Sequence, residues 1–199
     1  MVYRTGFGFL AFARTIRIVS NKVRIIGGEW RSRLITFPDE QGLRPTTDRV
    51  RETLFNWLGQ NLEGKTCLDL FAGSGALGFE AHSRGARWVT MIERQPKVFA
   101  ALGKNAAKLQ ATRLTLMQDD ALAWLGGARD VYDVIFLDPP FQSDLLNQLL
   151  PLLPARLSAE GVAYIESGSP LVAPEGMQVI RDSRAGQVYF GLVQKAEHA

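Results

Sequence analysis

Apolar residues gather in short blocks along the second two-thirds of the chain, over 66–71, 88–93, 113–118, 132–137 and 162–166. Each block is too short for a helix and is bounded by Gly, Pro or charged residues, as a buried strand would be. Between the blocks the spacing lengthens to that of helices, over 76–84, 96–108, 121–125 and 143–153. This alternation predicts an α/β architecture, a parallel sheet with right-handed crossovers. The tail changes rhythm. Blocks at 177–181 and 187–194 flank a turn containing Ala185-Gly186, with no helix between them, and predict an antiparallel hairpin closing the sheet.

Upstream, Val50, Leu54, Trp57 and Leu58 share one face of a helix spanning about 48–61, with Thr47 as its cap and Asp48 favouring its N-terminal dipole. Before it, Val23, Ile25, Trp30, Leu34, Ile35 and Phe37 surround Gly27-Gly28 and suggest a β-hairpin. The expected organisation is an extension over 1–21, a hairpin over 22–43 and one α/β domain over 44–199. Residues 1–13 superficially resemble a secretory signal. The apolar stretch is short, holds two glycines and runs at once into Arg14 and Arg17, so an extension or an early start codon is favoured and a cytoplasmic location expected.

Composition narrows the chemistry little. An apolar content of 46% supports one core, and a net charge of +3 permits nucleic acid without requiring it. A single cysteine, Cys67, excludes a disulfide framework, and with His82 and His198 far apart no structural metal is expected. No apolar run approaches the ~20 residues of a membrane span.

The loop Leu68-Asp69-Leu70-Phe71-Ala72-Gly73-Ser74-Gly75-Ala76-Leu77-Gly78 joins a strand to a helix. Gly73, Gly75 and Gly78 satisfy G-x-G-x-x-G, and Glu93 closes the next strand, positioned for ribose hydroxyls. A nicotinamide dinucleotide is therefore one reading. Asp69 opposes it, because a strand-end carboxylate would repel a pyrophosphate and suit an ammonium or sulfonium. S-adenosylmethionine carries both cations, a ribose and an adenine. Asp69, Phe71, Ala72, Gly73, Gly75 and Glu93 are its candidate contacts, with Asp120 and Ala121 for the adenine. Asp120 could equally be a helix N-cap.

The 132–137 block ends in Asp138-Pro139-Pro140-Phe141. Two prolines stop the strand, which presents an acid and an aromatic ring at its C-terminal end, where open α/β sheets bind ligands. Asp138 and the Pro139 carbonyl can accept hydrogen bonds from an exocyclic amine and stabilise charge developing on it, while Phe141 stacks on the ring. Cys67 lies inside a strand, which argues against a cysteine nucleophile and pyrimidine-carbon methylation. Arg24, Arg31 and Arg33 around Trp30 suit RNA, phosphates pairing with arginines and bases stacking on the ring. A hairpin packed on the domain with solvated arginines is the alternative. Arg49 and Arg51 are further candidates on different faces of the 48–61 helix.

The segments Arg24-Ile25-Ile26-Gly27-Gly28-Glu29-Trp30-Arg31-Ser32-Arg33 and Arg44-Pro45-Thr46-Thr47-Asp48-Arg49-Val50-Arg51-Glu52-Thr53-Leu54-Phe55, the glycine loop and Asp138-Pro139-Pro140-Phe141 together resemble the bacterial 16S rRNA guanine-N2 methyltransferases of the RsmD type. The resemblance covers about 23–195. It implies a Rossmann-like seven-stranded S-adenosylmethionine-dependent methyltransferase fold. The implied reaction is N2 methylation of the guanine called position 966 in that family, in 16S rRNA of the small ribosomal subunit. It also implies that Arg44, Pro45 and Thr46 help close the donor pocket. A monomer suffices for this. The remaining readings are adenine-N6 or glutamine-amide methylation, an NAD-dependent dehydrogenase, and a non-catalytic RNA-binding domain.

Overall fold

The computed structural model describes residues 20–40, 43, 45–141 and 143–196. The assignments made for residues 1–19 and for Arg44 lie outside the described residues.

Seven strands form the main sheet: β3 (Thr66–Asp69), β4 (Trp88–Ile92), β5 (Leu114–Met117), β6 (Tyr132–Leu137), β7 (Leu157–Ser167), β8 (Met177–Ala185) and β9 (Val188–Lys195). A two-stranded antiparallel sheet precedes them, β1 (Ser20–Arg24) with β2 (Leu34–Pro38). The order is β5-β4-β3-β6-β7-β9-β8. Strands β3 to β7 run parallel, whereas β9 is antiparallel to both β7 and β8, so the expected closing hairpin is present. The chain winds outward from β3 to β5 and then returns to β6 on the other side of β3. The carboxyl ends of β3 and β6 thus meet where the winding reverses, with Asp69 opposite Phe136.

Period-two alternation sorts side chains onto the two faces. Cys67, Val134, Phe136 and Tyr164 pack with α1 (Asp48–Trp57), α2 (Ala76–Ser83), α3 (Pro96–Leu109) and the β1–β2 hairpin. Leu68, Ile135, Leu137 and Ile165 pack with α4 (Ala121–Gly127) and α5 (Leu145–Leu149). Two helices are shorter than their sequence patterns predict. The first ends at Trp57 because Gly59 and Gln60 take positive φ angles of 90° and 65°. The last breaks into α5 and a 3-10 turn over Leu150–Leu152, where Pro151 supplies no backbone N–H.

Gly27-Gly28 does not form a tight turn between β1 and β2; residues 25–33 are a longer loop seated on α2. The backbone N–H groups of Ile26 and Gly27 donate to the Glu80 carboxylate at 2.9 and 2.7 Å. A side chain on Gly28, at φ +73°, would lie 1.9 Å from the Ser83 carbonyl oxygen, so this close approach requires glycine. At the far edge, Thr36 and the Asn105 side-chain amide exchange two hydrogen bonds, which ties β2 to α3.

Candidate active site

Three carboxyl groups converge where the winding reverses, each from a strand end: Asp69 from β3, Asp138 just past β6 and Glu166 near the end of β7. Thr46, on the segment leading into α1, bridges two of them. Its Oγ1 donates to Glu166 Oε1 at 2.9 Å and lies 3.4 Å from Asp138 Oδ2. Tyr164, two residues before Glu166 and on the same strand face, donates its hydroxyl to the same Oε1 at 2.7 Å. Among the described residues, no Lys or Arg forms an ion pair with any of the three acids.

Their electrostatics follow from that isolation. Burial pushes the Asp69 carboxyl up to about 7, against a hydrogen bond from the Gly78 N–H that holds it down. Asp138 is raised well above the carboxylate range by burial first, then by repulsion from Glu166 and Asp69. Burial also raises Glu166, opposed by the Tyr164 and Thr46 hydroxyls, and Tyr164 is raised by burial and by Glu166 beside it. The three acids therefore hold protons more readily than exposed carboxyls do, and a cation brought beside them would favour their ionised forms.

Beside it opens a cavity of about 320 Å³, walled by residues 139–141 on one side and 166–169 on the other. Pro139 is buried, while Pro140 is exposed and Phe141 retains 47% of its accessible surface. Ser143 uses both its backbone N–H and its hydroxyl on the Pro140 carbonyl. Among the described residues, nothing donates to the Pro139 carbonyl.

The glycine loop is built as its spacing suggests. Gly73 and Gly75 take positive φ angles of 49° and 83°, and Gly75 serves as the N-cap of α2. Through Gly78, Asp69 fastens the first turn of α2. Glu93 Oε2 accepts from the Gly73 N–H at 3.0 Å, and Oε1 accepts from the Gln95 N–H, so this acid ties the glycine loop to the start of α3. Phe71 is half-buried and Ala72 buried behind them. Asp120 caps α4, its Oδ1 accepting from Leu122 and Ala123 while Oδ2 lies 3.9 Å from Arg94; Ala121 is buried beneath it.

Two of the residues expected to touch RNA are inside the protein. Trp30 is 3% exposed and stacks on His82 with ring centroids 4.3 Å apart, so it is not the exposed ring its neighbours suggested. Arg51 is fully buried, bound to Glu80, Asp48 and the Arg24 carbonyl. Both are recruited by α2, whose Glu80 and Ser83 also anchor the 25–33 loop. Arg24, Arg31, Arg33 and Arg49 are exposed; Arg24 pairs with Asp48 and Arg33 reaches the Lys108 carbonyl. Sequence reasoning missed Glu166 and Tyr164. The signal was an acid closing an apolar strand, the same pattern that drew attention to Asp69 and Glu93.

Residues 23–194 match the family model described as Conserved hypothetical protein 95. The Ribosomal RNA small subunit methyltransferase D of Escherichia coli K12 is 44% identical over 182 residues, covering 88% of this chain and 91% of that protein. The chain belongs to the ribosomal RNA small subunit methyltransferase D family. The solved structure of Escherichia coli yhhF superposes on this family member with a TM-score of 0.81 at 42% identity, covering 89% of this chain and 100% of that one. The fold also extends to the T. thermophilus 16S rRNA N2 G1207 methyltransferase solved with AdoMet and guanosine. There the TM-score is 0.64 at 20% identity, over 90% of this chain and 50% of that one. Membership in this methyltransferase family removes the dehydrogenase reading of the glycine loop.

Proposed function

We propose that the protein transfers a methyl group from S-adenosylmethionine to the exocyclic N2 of a guanine in 16S rRNA, the guanine called position 966 in the family's naming. The observation that carries this reading is a nucleobase-sized cavity walled by Pro139, Phe141 and Glu166, directly after Asp138 in the chain, with a Pro139 carbonyl that nothing engages among the described residues. Family membership supports rRNA methylation, and the acid–carbonyl pair supports an amine as the acceptor.

The residues fit the cosubstrate. Three carboxyl groups, Asp69 and Glu166 buried and Asp138 partly so, without a paired Lys or Arg among the described residues suit a cationic ligand, and the partly open, positive-φ backbone at Gly73 suits its close approach, with Gly75 turning the loop into α2. Asp69 and Glu93 flank that backbone, with Phe71, Ala72, Asp120, Ala121, Arg44 and Thr46 as the further donor contacts. When bound, the cosubstrate supplies a methyl group on a sulfonium.

The chain's residues do the rest. Asp138 and the Pro139 carbonyl each accept one N–H of the target amine, which fixes its orientation and favours positive charge on nitrogen as the N–C bond forms. Phe141 stacks on the base and holds the amine in line with the methyl group. A guanine reaches this cavity only when unstacked and turned out of its helix. Arg24, Arg31, Arg33 and Arg49 are the phosphate contacts in this reading. The substrate is RNA of the small ribosomal subunit, met by a monomer in the cytoplasm; among the described residues no helix is long and apolar enough to cross a membrane.

Nucleoside mass spectrometry of 16S rRNA from a deletion strain tests the reading. Loss of one 2-methylguanosine, restored by the intact gene but not by Asp138→Ala, is expected. An unchanged 2-methylguanosine content would sink it.

A further inference from the structure

Glu166 is 95% withdrawn from solvent, yet it lines the cavity beside residues 139–141 (its relative exposure is 5%). Its two carboxyl oxygens have different surroundings. Oε1 is fixed from both sides, by the Tyr164 hydroxyl at 2.7 Å and the Thr46 hydroxyl at 2.9 Å. Oε2 has no hydrogen-bond partner among the described residues. Since Glu166 lines the cavity and Oε2 is not enclosed by protein, this oxygen is left free to accept a donor from a molecule in the cavity. Because Oε1 is anchored, Oε2 is held in one place. The bridging Thr46 puts it in the same rigid frame as Asp138.

We propose that Glu166 reads the identity of the target base, its Oε2 accepting the ring N1–H of guanine while Asp138 and Pro139 hold the neighbouring N2 amine. This rests on guanine N2 being the methylated position. On that edge guanine presents two kinds of donor side by side, the N1–H and the N2 amine. Adenine offers an amine next to a ring nitrogen that is itself an acceptor, and a carboxylate facing it is repelled. Two acids in a row therefore match guanine and reject adenine, and a site built around a buried hydrogen bond discriminates strongly against a base that cannot make it. Tyr164 and Thr46 act through Glu166 as positioning residues.

The test compares 16S rRNA fragments carrying either guanine or 2-aminopurine at the target nucleotide. 2-Aminopurine keeps the 2-amine but has an acceptor at N1. Wild-type enzyme should favour guanine by about 10- to 100-fold in kcat/KM, the range of a hydrogen bond to a charged group. Glu166→Gln, whose amide can donate to an acceptor N1, should narrow that ratio at least about tenfold. Glu166→Asp, which withdraws the oxygen by one methylene, should lower kcat/KM for guanine more than for 2-aminopurine. Calorimetric titration with S-adenosylhomocysteine reports whether each variant keeps its fold and donor site. An unchanged guanine-to-2-aminopurine ratio in both variants overturns the proposal, as does equal use of the two bases by wild type, which leaves N2 methylation standing. Wild type that methylates adenine RNA and neither of these fragments overturns both.

Discussion

Thr46 and Glu166, 120 positions apart, share a hydrogen bond of 2.9 Å that carries the segment before α1 across the carboxyl end of the sheet. The same hydroxyl lies 3.4 Å from Asp138. Thr46→Val keeps the shape and removes the bridge, leaving Asp138 without this donor and Glu166 Oε1 with the Tyr164 hydroxyl alone. Methyl transfer should fall by about tenfold or more, and Thr46→Ser should restore most of it. Equal activity in the Val and Ser variants would show that the bridge is incidental.

Asp138→Ala removes one of two acceptors for the target amine. A loss of about 100-fold or more in the single-turnover rate is expected, in line with the removal of one preorganised electrostatic contact to a transition state. Binding of S-adenosylhomocysteine should change little. If calorimetry shows donor binding lost together with rate, Asp138 belongs to the donor site instead.

The rate should rise with pH. Asp138 accepts an N–H and stabilises positive charge on the amine far better when ionised, and burial with repulsion from Glu166 and Asp69 raises its pKa, so the acid limb lies above the ordinary carboxylate range. Glu166→Gln removes one source of repulsion, lowers the Asp138 pKa and should move that limb to lower pH. A limb that stays in place in this variant would show that Asp138 is not the titrating group.

Asp69 links the site to stability. Its carboxyl sits at about 7 in the folded protein against 3.8 for an ordinary aspartate, so the folded state holds this proton more tightly than the unfolded chain. The resulting stabilisation is complete below pH ~4 and is lost as pH rises through ~7, with an upper bound of about 4 kcal/mol. Ligand-free Asp69→Asn should therefore melt higher than wild type at pH 8, with the gap closing towards pH 4, while its affinity for S-adenosylmethionine falls. Melting curves that run parallel across this range would refute the linkage.

Arg51 and Arg31 should separate cleanly. Arg51→Ala removes one of the two charged partners of the buried Glu80 carboxylate, the other being Arg84, and removal of one partner from a buried pair costs up to about 3–5 kcal/mol. Arg31 is exposed, and Arg31→Ala should leave the melting temperature in place while reducing the salt slope of RNA binding by about one. The reverse pattern would return Arg51 to the RNA surface.

The alternation of strands and helices, the closing hairpin, the glycine loop and the strand stop at Pro139 were legible because they are local: a period-two block, positive-φ glycines and a proline-stopped strand each leave a mark within a few residues. Trp30 and Arg51 read wrongly because what buries them is remote. Their environment comes from Glu80, His82 and Ser83 on α2, and no spacing within 24–33 or 44–55 reveals that helix. Glu166 was overlooked for a related reason. As the last residue of an apolar run it looks like the polar end of a strand, and its meaning comes from Thr46 in another part of the chain. The shortened last helix was foreseeable, since Pro151 lies inside the pattern.

The docking of the β1–β2 hairpin also constrains the order of events during synthesis. Its anchors are Glu80 and Ser83 on α2 and, through Thr36, Asn105 on α3. The first segment described here to leave the ribosome must therefore wait, its inner face uncovered, until about seventy more residues have followed. Ribosome-bound chains halted soon after Asn105 emerges should be the earliest in which the hairpin resists protease.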